Sequence, residues 1–90
     1  MYSLTTTNQF EKDYKLCKKR GYKMELINSI FLLMEKDGFI PSKFKPHKLT
    51  GNYKGSWECH IQPDWLLIWL LDESDKTITL TRTGTHSDLF

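Results

Sequence analysis

Cysteine is scarce in this chain. Cys17 and Cys59 are the only two in 90 residues, and their spacing matches no metal-ligand pattern, so two free, buried thiols in a cytoplasmic protein are expected. Five glycines and three prolines are too few for a collagenous or disordered polymer. The longest apolar run, Trp65 to Leu71, lies between Asp64 and Asp72, far short of the roughly 20 residues that cross a bilayer. No membrane partner is expected, and Met1 to Thr7 lacks the basic and apolar blocks of a signal peptide. Neither a phosphate-cradling glycine loop nor a nucleophile elbow is present. Ninety residues leave no room for a second core, which excludes a two-domain enzyme and makes residues 1–90 one domain.

Aromatics and charge of one sign are abundant. Three Trp, four Tyr and five Phe suit a dense core, in a chain that is 39% hydrophobic and 27% charged. The net charge of +2 hides a strong polarity. Residues 1–54 carry eleven Lys and Arg against five Asp and Glu, and residues 55–90 carry two against six. Such a basic half suits a polyanion, because neutralising phosphates releases counterions; the plain alternative is a solvated helix face.

The pattern of apolar residues predicts the order β-α-α-β-β-β. Tyr2 to Thr6 reads as a short strand, and Asn8 with Glu11 resembles a capping box that opens a helix running to about Arg20. Phe10, Tyr14 and Cys17 share one face of that helix, Lys12, Lys15, Lys18 and Lys19 lie on its wet sides, and Gly21 stops it. Leu26, Ile27, Ile30, Phe31 and Met34 mark a second helix ending at Asp37-Gly38. Residues 39–52 have no sustained period and read as an irregular loop. Trp57, Cys59 and Ile61 alternate with Ser56, Glu58 and His60, giving a strand with one apolar face and another bearing an acid and a histidine. After a turn at Gln62-Pro63-Asp64, the run from Trp65 to Leu71 is apolar on both faces, as a central strand should be. Thr77 to Arg82 forms the last strand, and residues 83–90 read as a polar tail. The fold class is α+β, a helical hairpin on a mostly antiparallel sheet.

The three histidines, His47, His60 and His86, fall in a loop, near a strand end and in the tail. Imidazoles titrate near neutrality and can exchange protons without a metal. Their separation in sequence matches no usual zinc spacing, so neither a metal nor another cofactor is expected. Asp64 and Arg82 are placed to join them.

Three ordered blocks then resemble one family. Lys45-Pro46-His47-Lys48-Leu49-Thr50-Gly51, Glu58-Cys59-His60-Ile61-Gln62-Pro63-Asp64-Trp65-Leu66-Leu67-Ile68 and Arg82-Thr83-Gly84-Thr85-His86-Ser87-Asp88-Leu89-Phe90 are similar to the YafQ branch of the RelE superfamily of bacterial toxins. That resemblance implies a ribosome-dependent mRNA endonuclease of a toxin–antitoxin pair. It implies His47, His60, Asp64 and His86 as catalytic residues, with Trp65, Arg82 and Phe90 contacting substrate. His60 and His86 would be acid and base in either order, acting on a 2′-OH that attacks its own phosphate. Lys12, Lys15, Lys18, Lys19, Lys43, Lys45, Lys48 and Lys54 would dock on ribosomal RNA or meet an acidic part of the antitoxin. The implied partner is a ribbon-helix-helix antitoxin, through which alone the pair reaches operator DNA. A non-catalytic RNA-binding module and a gyrase-directed toxin on the same scaffold are the competing readings.

Overall fold

The computed structural model describes every residue from Met1 to Phe90. Its elements are β1 (Ser3–Thr6), α1 (Asn8–Lys19), α2 (Met24–Asp37), β2 (His47–Lys48), β3 (Trp57–Gln62), β4 (Trp65–Asp72), β5 (Thr77–Gly84) and α3 (His86–Leu89). The expected α+β architecture is present, with two additions. Short 3₁₀ turns at Ser42–Phe44 and Gly51–Tyr53 flank the two-residue β2 inside the expected loop, and the expected polar tail supplies the end of β5 and a short helix. The sheet order is β1-β5-β4-β3-β2, antiparallel except that β1 runs parallel to β5.

The helices form where the sequence supplies both caps and an apolar stripe. α1 starts one residue before the Asn8–Glu11 spacing suggests, because Thr7 Oγ1 accepts the Phe10 N–H at 3.0 Å while Glu11 accepts from the Thr6 hydroxyl instead. A cap of this kind contributes about 1 kcal/mol. α2 ends where Gly38 turns left-handed at φ 67° and its N–H bonds the Met34 carbonyl. A Cβ at Gly38 would lie 2.4 Å from the Tyr2 ring, so only glycine fits this close approach. The two helices meet through Phe10 and Phe31, packed edge-on at 6.2 Å, and through Tyr14, whose hydroxyl donates to Asn28.

β4 is buried on both faces from Trp65 to Trp69, while Leu70 near its end is 45% exposed. Trp65, Leu67 and Trp69 join Phe10, Cys17, Ile27, Ile30 and Met34 in the core under the helices. Leu66 and Ile68 point the other way, into a smaller cluster with Leu89, Leu49 and Tyr53. Both cysteines are free and buried, and burial pushes the Cys59 thiol up to about 12.

One irregularity decides what the second face displays. Trp69 pairs with Leu80, yet Ile68 pairs with Arg82, so Thr81 is an extra residue in β5. Without that bulge Arg82 would follow Ile78 and Leu80 toward the helices; with it Arg82 shares the face of Ile68 and its other neighbour, Glu58.

Candidate active site

β2, β3, the β3–β4 turn and α3 converge on one end of the sheet face opposite α1 and α2. β3 displays Glu58 and His60 two residues apart, hence on the same side. β2 pairs His47 directly opposite Glu58, and α3 brings His86 to the β3–β4 turn that carries Asp64. The three imidazoles form a row, with His47 and His60 ring centres 6.1 Å apart and His60 and His86 also 6.1 Å apart. Phe90 continues it, 6.3 Å beyond His86.

Each end of the row has an acid. Asp64 Oδ1 accepts the His86 backbone N–H at 2.9 Å and the ring Nδ1–H at 2.8 Å. That second bond places the proton on Nδ1 and leaves Nε2 as the working nitrogen of His86. At the other end, His47 Nδ1 donates to the Lys45 carbonyl at 2.9 Å while Nε2 lies 3.1 Å from Glu58 Oε1. Glu58 Oε1 is also 3.9 Å from His60 Nε2, and its Oε2 is buried without a partner.

Beside His60, an open depression of about 450 Å³ is lined by Lys43, Phe44, Lys45, Gln62 and Pro63. Two ammonium groups at its rim suit a phosphate backbone. Lys45 adopts φ 53°, an uncommon left-handed conformation for a residue with a side chain, and its carbonyl is the one that orients His47.

His47, His60, Asp64 and His86 are thus brought together as expected, and Phe90 stands beside them, 63% exposed and packed edge-on against Tyr53 at 5.2 Å. Trp65, expected to contact substrate, lies almost wholly inside the fold. It is 1% exposed, donates its Nε1–H to Thr83 Oγ1 at 3.0 Å and packs against Tyr22, so it supports the turn from beneath. Arg82 faces the site, but its guanidinium is engaged by Asp13 at 2.7 Å and touches the Tyr53 hydroxyl at 3.4 Å. Lys12, Lys15, Lys18, Lys19, Lys43, Lys45, Lys48 and Lys54 are all exposed. Sequence reasoning left Glu58 out of the site; the signal was its place on the His60 face of an alternating strand.

Two carboxylates here titrate abnormally low. The backbone N–H and then the ring of His86 lower Asp64, and Arg20, followed by the Thr85 N–H, lowers Asp88. A depressed folded pKa stabilises the fold above the ordinary carboxylate value of 3.8 and loses that contribution as pH falls through the folded value. The gap in melting temperature between the wild-type protein and Asp88→Asn therefore narrows as pH drops below 3.8. A gap that stays constant down to pH about 2 would show that Asp88 is not held low.

The profile of a family described as the bacterial toxin of a type II toxin–antitoxin system, YafQ, matches residues 2–90. The chain belongs to the YafQ toxin family. Among its YafQ relatives, the mRNA interferase toxin YafQ of Escherichia coli K12 is 38% identical over 85 residues, covering 93% of this chain and 90% of that protein. The YafQ structure in the E. coli DinJ–YafQ complex superposes with a TM-score of 0.89 at 34% identity, covering 100% of this chain and 99% of that one. A metal-bound toxin from Helicobacter pylori gives 0.89 at 33% identity, with full coverage of both chains. No helix of this YafQ-family chain is long and apolar enough to cross a membrane.

Proposed function

We propose that this chain is a ribosome-dependent endoribonuclease, a cytoplasmic toxin domain spanning residues 1–90 that cuts mRNA by imidazole acid–base catalysis. The observation that carries this reading is the row of His47, His60 and His86 with Asp64 and Glu58 at its ends. A phosphodiester lying between His60 and His86 has one imidazole on each side, within the 2.6–3.2 Å or so that proton transfer requires once substrate seats. One ring takes the proton of the 2′-OH as it attacks the phosphorus. The other gives a proton to the departing 5′-oxygen, so charge does not accumulate on either oxygen. Asp64 holds the tautomer of His86, and His47, beside the buried Glu58, stands next to His60 to contact the phosphate oxygens. Phe90 offers a ring face for a base. Arg82 reaches phosphate only if it gives up part of its pairing with Asp13, which makes it a contact of the developing negative charge rather than of the resting site.

Lys43 and Lys45 lead the RNA backbone to His60, with Lys48 and Lys54 on the same loop; Lys12, Lys15, Lys18 and Lys19 dock on ribosomal RNA. The partner is a ribbon-helix-helix antitoxin, by analogy with the DinJ–YafQ complex of the relative, and operator DNA is reached only through it.

A second reading has its own observation. His47, Glu58 and His60 offer three ligand atoms within 4.8 Å of one another, Glu58 Oε2 lacks a partner, and a relative from H. pylori is described as metal-bound. Zinc–ligand bonds of about 2.0–2.2 Å allow two ligand atoms on one ion to be at most roughly 4.4 Å apart, and Glu58 Oε1 lies within that span of both His47 Nε2, at 3.1 Å, and His60 Nε2, at 3.9 Å. The two part in one experiment, cleavage of a translated message with ribosomes present or absent, at constant magnesium, with EDTA or added zinc. We expect ribosome-dependent cleavage that survives EDTA and falls with zinc, which would take His47 and His60 out of proton transfer. Cleavage lost in EDTA and restored by zinc would establish the metal as the catalyst instead.

A further inference from the structure

His86 sits on a helix of four residues, far too short to persist alone. Its position is therefore set by what holds it. Within α3, Thr85 Oγ1 accepts the Asp88 N–H at 3.1 Å and Asp88 Oδ2 accepts the Thr85 N–H at 2.9 Å, a reciprocal cap. On one flank the Tyr53 hydroxyl donates to the Leu89 carbonyl at 2.9 Å. On the other, Arg20, just past the end of α1, makes a two-pronged bond to Asp88, at 2.7 and 3.1 Å, across 68 residues of sequence. Asp88 also packs so closely on Gly84 that a Cβ there would meet its Oδ2 at 2.8 Å.

Arg20 belongs by sequence to the basic run Lys12 to Lys23, yet among the cations of that run it alone forms an ion pair. It hydrogen-bonds to none of the three imidazoles, and its side-chain bond toward the site is the one to Asp88 of α3.

We propose that Arg20 is a positioning residue: its forked bond to Asp88 clamps α3 against the end of α1 and holds the His86 ring at its working distance from His60. This rests on the reading of His86 as a proton-transfer group. The guanidinium fork fixes both distance and orientation, which a lysine ammonium cannot do. A displacement of a reacting group by about 1 Å can cost roughly a hundredfold in rate.

The test uses the purified full chain with Arg20→Lys, Arg20→Ala and His86→Ala, thermal unfolding as the check of fold, kcat and KM for cleavage, and amide hydrogen exchange. Arg20→Lys and Arg20→Ala are expected to lose about ten- to a hundredfold in kcat, with KM within about twofold of wild type. Amides of Thr85, His86 and Asp88 exchange about tenfold faster while those of β4 do not change. If Arg20→Ala does not fold, Arg20→Lys decides, since it keeps the charge and loses only the fork. Wild-type kcat with a raised KM overturns the proposal and makes Arg20 a docking cation like Lys18 and Lys19. Unchanged exchange in α3 overturns it as well. Full cleavage by His86→Ala sinks the reading of the site and the positioning role with it, whereas an inactive His86→Ala beside a fully active Arg20→Lys sinks the clamp alone.

Discussion

Replacing His86 with alanine is expected to lower the cleavage rate by about 10²–10⁴-fold, the usual contribution of a positioned general acid or base. The same protein should stay folded. The His86 side chain is 55% exposed, so its truncation opens no cavity in the core, and Asp64 still accepts the backbone N–H of residue 86. Stability should therefore stay within about 0.5 kcal/mol of wild type. Growth arrest on expression of the uninhibited protein should disappear in parallel. Single-turnover cleavage and a denaturant melt on one sample check both halves; undiminished cleavage or arrest by a folded His86→Ala protein would remove His86 from the reaction.

The opposite separation is expected at Trp65. Truncating a fully buried tryptophan to alanine costs about 3–5 kcal/mol, a large share of the roughly 5–15 kcal/mol that holds a domain of this kind together. Trp65→Phe keeps most of the ring packing against Tyr22 and gives up the Nε1–H bond to Thr83, a loss of about 1 kcal/mol. Its denaturation midpoint should fall with an unchanged slope, and its cleavage rate, measured where it is folded, should remain near wild type. Lost cleavage at full stability in Trp65→Ala would return this side chain to the substrate surface.

What the sequence could reveal follows from which interactions are local. The apolar run of β4 and the alternation of Trp57, Cys59 and Ile61 are properties of single strands, and both are found as expected. β2 is two residues long and exists only because His47 and Lys48 find Glu58 and Trp57, so no period announces it. The partnership of Glu58 with His47 was hidden for the same reason, although alternation had already put Glu58 beside His60. α3 did leave a signal, the Thr85…Asp88 spacing of a capping box, but four residues give no helical periodicity to go with it. Arg82 illustrates a different limit. Alternation assigns it to the face of Leu80, and a single inserted residue, Thr81, reverses that assignment without any mark in the local pattern. The histidine row was legible through the three spaced blocks, and the apolar run had already placed Trp65 in a central strand, so that only the family resemblance pointed it toward substrate.

The chemistry of the cut ends tests the central claim most directly. Messages engaged by translating ribosomes should be cut by the purified chain and their new termini mapped. Attack by the 2′-OH under imidazole catalysis leaves a 5′-OH on one fragment and a 2′,3′-cyclic phosphate, or the 3′-phosphate from its opening, on the other. Fragments bearing a 5′-phosphate and a 3′-OH would mean that water attacked the phosphorus, and proton transfer to and from the ribose and the leaving oxygen by His60 and His86, with His47 in support, would be contradicted.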